Sequence, residues 1–228
     1  MRVRWLVAVV AALGVANYLN NVALRWTYPW ISVLETLVLL GLARAAGLTA
    51  ADLGLARSTW RRGLRWGGIA VLLVLAGYLV ALTLPAGREL FLDRRAHLGV
   101  GGAIYAAFVG VPVGTVLLEE VGFRGVVWGM VARMRGPGWA TAVSSVLFGL
   151  WHVLPSLGLG RSNQVVGDVY GSAAGAVTIS AVFATMLAGV VLASLRWRTG
   201  SLLAPAGLHW ATNGLAYAVG AALWALSG

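Results

Sequence analysis

Runs of about 20 mostly apolar residues, the length a helix needs to cross the hydrocarbon core of a bilayer, recur from one end of this chain to the other. They lack the two-residue alternation of a barrel strand, so the chain reads as an all-α, polytopic membrane helical bundle of about seven to eight transmembrane helices. Composition agrees: 60% of the residues are hydrophobic and only 11% charged, where a soluble domain carries about 25% charged. Every one of the 17 basic residues is Arg, and against seven acids they give a net charge of +10. A basic chain this apolar and aromatic points to the lipid bilayer as its surroundings and excludes nucleic acid as its partner. The absence of cysteine removes disulfides, thiolate nucleophiles and Cys-ligated metals, which leaves carboxylates, histidines, amides and hydroxyls for chemistry.

Spans are expected near 5–24, 28–43, 64–84, 99–132, 138–155, 173–195 and 201–226. The first has Arg2 and Arg4 before it but no A-x-A cleavage site, so it is expected to stay as a helix. The fourth is too long for one simple crossing, and Pro112 should kink it or split it in two. With seven spans, Arg2, Arg4, Arg44, Arg57, Arg61, Arg62, Arg65, Arg133, Arg135, Arg196 and Arg198 share one side; Arg25, Arg88, Arg94, Arg95 and Arg161 share the other. Eleven against five by that list places the amino terminus in the cytoplasm. Trp5, Trp26, Trp30, Trp60, Trp66, Trp139 and Trp197 fall near the span ends, where indoles sit at headgroup level. Thr49-Ala-Ala-Asp52 resembles a helix start, leading into a short interfacial helix. Gly110-x-x-x-Gly114 and Gly125-x-x-x-Gly129 are read as packing features. With no internal repeat, residues 1–228 form a single domain whose motifs lie between about 99 and 215.

A charge inside a bilayer costs a few kcal/mol, so each intramembrane ionisable group needs a partner or a function. Here they cluster. The fourth span carries Glu119, Glu120 and Arg124; on a helix Glu120 and Arg124 share a face while Glu119 points about 100° away. One carboxylate is then tied up structurally while the other stays free, and Arg124 helps keep it ionised. The fifth span contains His152, close to its end at Pro155, and the seventh carries His209 and Asn213, four apart and so on one face. Pro205 frees the carbonyl of Ser201 and should open that helix below the site. Counted from the Arg-bearing ends, Glu119 and His152 each lie about 21 Å deep and His209 about 16 Å. All four side chains therefore reach one level, placed in the cytoplasmic-to-middle part of the membrane.

A carboxylate and a histidine flanking one water can deprotonate it for attack on a carbonyl. A second histidine and an amide can donate to the oxygen that becomes negative, and together the set describes peptide hydrolysis. No Ser has a G-x-S-x-G setting and no H-E-x-x-H occurs. Glu119, His152 and His209 would also suffice for a three-ligand zinc site, an alternative the residues leave open.

The Glu-Glu-x-x-x-Arg run at 119–124, Phe-x-x-x-His at 148–152 and His-x-x-x-Asn at 209–213, in that order on three hydrophobic segments, resemble the CPBP family of intramembrane proteases, which includes CAAX prenyl endopeptidases related to Rce1. The stretch from Phe183 through Gly189 and Arg198-Thr199-Gly200-Ser201 is similar to the family's carboxy-terminal pattern. The resemblance implies that Glu119 and His152 activate the water, that His209 and Asn213 form the oxyanion hole, and that Glu120 and Arg124 support them. It implies a glutamate-type endopeptidase acting on a peptide or protein at the membrane, with no required cofactor. Zinc is less favoured because a neutral amide suits an oxyanion hole better than a zinc shell. The all-Arg complement suggests a GC-rich genome and so a bacterial cell membrane.

Two other classes remain open to the same residues. One is a non-catalytic membrane immunity or scaffold protein that keeps the polar cluster for packing. The other is a proton-coupled transporter, which would show paired repeats that this chain lacks. Glu35 either lines the cavity or pairs with Asn17 or Asn20; His97 and Asp168 are expected in solvated loops; Trp151 and Trp210 either wall the site or pack.

Overall fold

The structure is a computed structural model and describes residues 3–171 and 173–227; Arg2, used above to orient the chain, lies outside them. Among the described residues the chain is helical almost throughout and has no strand. The helices are α1 (Val3–Ala23), α2 (Trp30–Ala45), α3 (Trp60–Ala81), α4 (Pro85–Phe91), α5 (Val100–Arg135) and α6 (Pro137–Trp151). After them come α7 (Val153–Ser162), α8 (Gln164–Tyr170), α9 (Ala174–Thr199) and α10 (Leu203–Ser227). Helices α1, α5 and α9 and the stretch 57–81 are long and apolar enough to cross a membrane, and α6 with α7 makes a fifth as a pair bent by 40°. The protein is therefore an integral membrane bundle. That is fewer than the seven to eight crossings expected: α2 has only 16 residues, and α10 carries His209, Thr212 and Asn213 through its apolar run.

Helix α5 is the centre of the molecule. Leu118, Phe123, Val126, Val127 and Met130 on it form the core with Val9 and Leu13 of α1, Leu39 of α2, Phe148 of α6 and Leu192 of α9. Pro112 neither breaks α5 nor splits it; the helix runs on in π register over Ala106–Val116 and Glu120–Val127. In that register each N–H reaches five residues back, and the Leu117 N–H bonds the Pro112 carbonyl. Proline has no N–H, so the carbonyl of Ala107 is freed, and Trp210 Nε1–H of α10 takes it at 2.8 Å. The same loosened turns accept the Tyr28 hydroxyl at the Gly110 carbonyl (2.7 Å) and the Ser32 hydroxyl at the Gly114 carbonyl (2.8 Å).

Both glycine pairs pack, though against turns and not helix faces. A Cβ on Gly114 would meet Pro29 at 2.7 Å, and one on Gly129 would meet the Asp52 carbonyl at 2.8 Å. Close helix pairing occurs elsewhere, where a Cβ on Gly207 of α10 would come within 2.9 Å of Gly67 on α3. Trp26, Trp30, Trp60, Trp66, Trp139 and Trp197 are exposed, as headgroup-level indoles should be.

The interfacial helix expected after Thr49 is replaced by a turn. Thr49 and Asp52 do cap each other, with the Thr49 hydroxyl and amide donating to Asp52 at 2.6 and 2.7 Å, but Gly54 at φ +74° ends the turn. Arg133 Nε lies 3.4 Å from the Asp52 carboxylate, and Arg196 donates to the Asp52 carbonyl at 2.8 Å, so one turn ties together the ends of α2, α5 and α9. Burial raises the Asp52 carboxyl, but the Thr49 hydrogen bonds and the two guanidiniums outweigh it and hold it below its ordinary value. A depressed folded value contributes stability above the unfolded value of about 3.9, lost as pH falls through the folded one. Thermal unfolding in detergent should then shift down below about pH 4, and Asp52→Asn should flatten part of that shift. An identical acid limb in the variant would remove Asp52 from the account.

Candidate active site

The site is assembled where α5, α6 and α10 meet. Glu120 of α5 is buried, and its carboxylate accepts from Arg124 Nη1 at 3.2 Å and from His209 Nδ1–H at 2.7 Å. The four-residue spacing does pair Glu120 with Arg124. Arg124 is wholly buried and stands 3.8 Å over the Phe148 ring, so a cation that lipid would reject is held by one carboxylate and one aromatic face. The His209 ring in turn stands edge-on to Phe148, centroids 6.0 Å apart. With Nδ1 engaged by Glu120, Nε2 is the nitrogen that faces Glu119, at 3.7 Å from Oε2.

Glu119 points away from Arg124, as one residue of helical rotation requires. Its Oε1 accepts from Trp151 Nε1–H at 3.0 Å, and its Oε2 is buried with no hydrogen-bond partner among the described residues. Trp151 therefore walls the site and orients the carboxylate, whereas Trp210 fixes α10 to α5 at the Ala107 carbonyl. Trp151→Phe keeps a ring against Phe123, 5.5 Å away, but deletes the N–H. A hydrogen bond to a charged group contributes about 1.5–3 kcal/mol, so any turnover that uses the Glu119 carboxylate should fall about 10- to 100-fold with KM little changed, and stability should fall by no more than that amount. A rise in KM alone would mean that Trp151 only shapes the cavity.

His152 sits at the break between α6 and α7, not inside a helix as its sequence setting suggests. Pro155 explains the break: it cannot donate to the Trp151 carbonyl, which Asn17 Nδ2 of α1 takes instead at 3.0 Å. The His152 Nδ1–H donates to the Phe148 carbonyl at 2.7 Å, which leaves Nε2 as the basic nitrogen. Pro205 does free the Ser201 carbonyl, which accepts from the Thr199 hydroxyl at 3.2 Å, but α10 begins only at Leu203, so no helix opens below the site.

Glu119, Trp151, His152 and Asn213 line one cavity of about 490 Å³. His209 reaches this group through Glu119. The expected depth is corrected: Asn20, Asn21 and Tyr28, the 90–96 segment, and Pro155, Leu159 and Asn163 also wall the cavity, and they come from the ends opposite the ten described arginines of the larger group. The alternative zinc set of Glu119, His152 and His209 is not gathered, since no three His, Asp or Glu side chains among the described residues stand close enough to hold a metal.

Sequence reasoning missed the contribution of the first two helices. Asn20 donates to Glu35 at 2.5 Å, which settles the open choice for Glu35 on Asn20; Asn20 and Asn21 also line the cavity. The signal was present as three Asn residues in one apolar run. His97 is exposed in a loop, as expected, with one ring face stacked on Trp224 (centroids 4.5 Å apart), and Asp168 is exposed on α8.

Against known proteins, the family model described as type II CAAX prenyl endopeptidase Rce1-like matches residues 101–215, the stretch from the start of α5 to just past Asn213. Neither curated proteins nor solved structures give a match.

Proposed function

The chain belongs to the type II CAAX prenyl endopeptidase Rce1-like family, and from that membership we propose that it is an intramembrane endopeptidase of the glutamate type, hydrolysing a peptide bond of a membrane-associated peptide or protein. Carrying the reading is one observation: a buried carboxylate, Glu119, shares a cavity with His152 and Asn213 while a second buried carboxylate holds the His209 ring against it.

In this reading Glu119 Oε2 takes a proton from water held between it and His152 Nε2, and the resulting hydroxide attacks the scissile carbonyl. The Asn213 amide and the Nε2–H of His209, a ring that then carries a proton on each nitrogen between Glu120 and the site, donate to the oxygen that becomes negative. Glu120 is a positioning residue: it fixes the His209 ring through Nδ1, and Arg124 fixes Glu120. The proton on Glu119 passes to the departing amine as the carbon–nitrogen bond breaks. A tetrahedral oxyanion in a cavity walled by Leu118, Val111 and Trp151 gains more from two donors than it would in water.

Comparing the peptides in membranes that carry the wild-type protein with those carrying Glu119→Gln tests the assignment. Products present with the first and absent with the second support it; an unchanged peptide set refutes it. The same comparison separates the scaffold reading, which predicts a Glu119→Gln protein with an intact phenotype.

A further inference from the structure

Arg196, in the last turn of α9, is a cation only 3% exposed, yet no carboxylate among the described residues stands within ion-pair distance of it. Its Nη2 donates to the Ala51 and Asp52 carbonyls at 3.3 and 2.8 Å. Its Nε is buried with no hydrogen-bond partner, pressed against Gly54, and the Trp128 ring covers the guanidinium at 4.9 Å. No acceptor for Nη1 appears among the described residues, which leaves it as the nitrogen turned to the recess that Arg196 helps to line. A charge buried in this way is costly unless something pairs with it.

That recess has a volume of about 360 Å³ and is walled by Trp128 and Arg133 of α5, the Ala51–Asp52 turn and Arg196. Small-ligand clefts occupy about 300–1,000 Å³. Arg133 brings a second guanidinium: Nη1 donates to the Gly47 carbonyl at 2.7 Å and Nε lies 3.4 Å from Asp52, so Nη2 is left to bind. Two guanidiniums thus share one carboxylate, and that carboxylate already accepts from the Thr49 amide and hydroxyl at 2.7 and 2.6 Å. The balance is one uncompensated positive charge, presented by planar donor forks that match the oxygens of an oxyanion. Trp197, the next residue along α9, and Trp139 at the start of α6 are exposed, which puts the recess at the level of lipid headgroups. Phosphate is the oxyanion found at that level, and basic recesses between helices are where anionic headgroups lodge.

We propose that the recess between α5 and α9 is a binding site for a phosphate group, carried by the headgroup of an anionic lipid, with Arg196 Nη1 and Arg133 Nη2 as its donors. The phosphate supplies the negative charge that Arg196 lacks and joins the ends of the two helices through one ligand. Asp52 orients Arg133 but repels the phosphate, so it limits the affinity. A zwitterionic headgroup brings its own ammonium and no net charge, and gains less. The recess shares no lining residue with the Glu119 cavity, so the site stands independently of the endopeptidase reading.

The test uses purified full-length protein in a neutral detergent at about pH 7, where Asp52 is ionised. Its unfolding temperature is followed during titration with short-chain phosphatidylglycerol, with phosphatidylcholine of the same chains, and with sodium phosphate against sodium chloride at equal ionic strength. The expected result is a saturable rise with phosphatidylglycerol that phosphatidylcholine does not give. Arg133→Gln should raise the half-saturating concentration about 10- to 100-fold, the loss of one charge-assisted hydrogen bond. Asp52→Asn should lower it, and a variant that merely loosens the turn cannot produce both changes. Should Arg133→Gln fail to accumulate, Asp52→Asn decides alone. A rise with sodium phosphate and none with phosphatidylglycerol would keep the phosphate site and overturn the lipid as its source. Equal rises with the two lipids, or a phosphatidylglycerol response that neither substitution moves, would overturn the proposal.

Discussion

Glu119→Gln should lower kcat by about 10²- to 10⁴-fold, the usual contribution of a positioned general base, while the purified protein unfolds at nearly the wild-type temperature. The amide is close in shape to the carboxylate and still accepts from Trp151 Nε1–H through its carbonyl oxygen, so the surrounding packing is preserved. What disappears is the capacity of Oε2 to take a proton. This separates base from scaffold: among the described residues no guanidinium pairs with Glu119, so neutralising it strands no buried cation. A variant that retains turnover within a few-fold would move the base elsewhere, with His152 the next candidate on the cavity wall. A variant that fails to accumulate would be answered by Glu119→Asp, which keeps the charge but retracts it by one methylene.

Arg124→Leu should cost the fold about 3–5 kcal/mol, because it leaves the buried Glu120 carboxylate with an unbalanced charge. Glu120→Leu combined with Arg124→Leu should lose less than Arg124→Leu alone, since both charges go together and apolar volume replaces them. Turnover should nevertheless stay low in the double variant, where His209 Nδ1–H has lost its acceptor and the ring its orientation. Thermal unfolding in detergent, read beside turnover for the three variants, checks both parts. Equal stability of the single and double variants would show that the pair is not coupled and that Arg124 acts mainly through its place over Phe148.

The three prolines show how far a sequence reaches into such a site. Each announces a carbonyl that the helix cannot satisfy, and that much follows from a missing N–H. Which donor arrives does not follow: Trp210 for Ala107, Asn17 for Trp151 and Thr199 for Ser201 come from other helices or other turns. Pro112 illustrates the difference most clearly, since local rules predict a kink and the wider π register absorbs it instead. Thr49 and Asp52 form the capping contacts their spacing promises, yet close a turn because Gly54 adopts positive φ and Arg133 and Arg196 pull on Asp52.

By itself the sequence determined that the chain is a helical membrane bundle, that Glu120 and Arg124 pair along one face, and that Glu119, His152, His209 and Asn213 are the polar groups worth watching. These follow from apolar run lengths, from helical rotation and from the cost of charge in lipid, all local quantities. Only the tertiary structure decided that Glu120 holds His209, that Trp151 holds Glu119, and which helix ends wall the cavity. Those depend on where helices far apart in the chain come to lie, and spacing along a single helix carries no record of its neighbours.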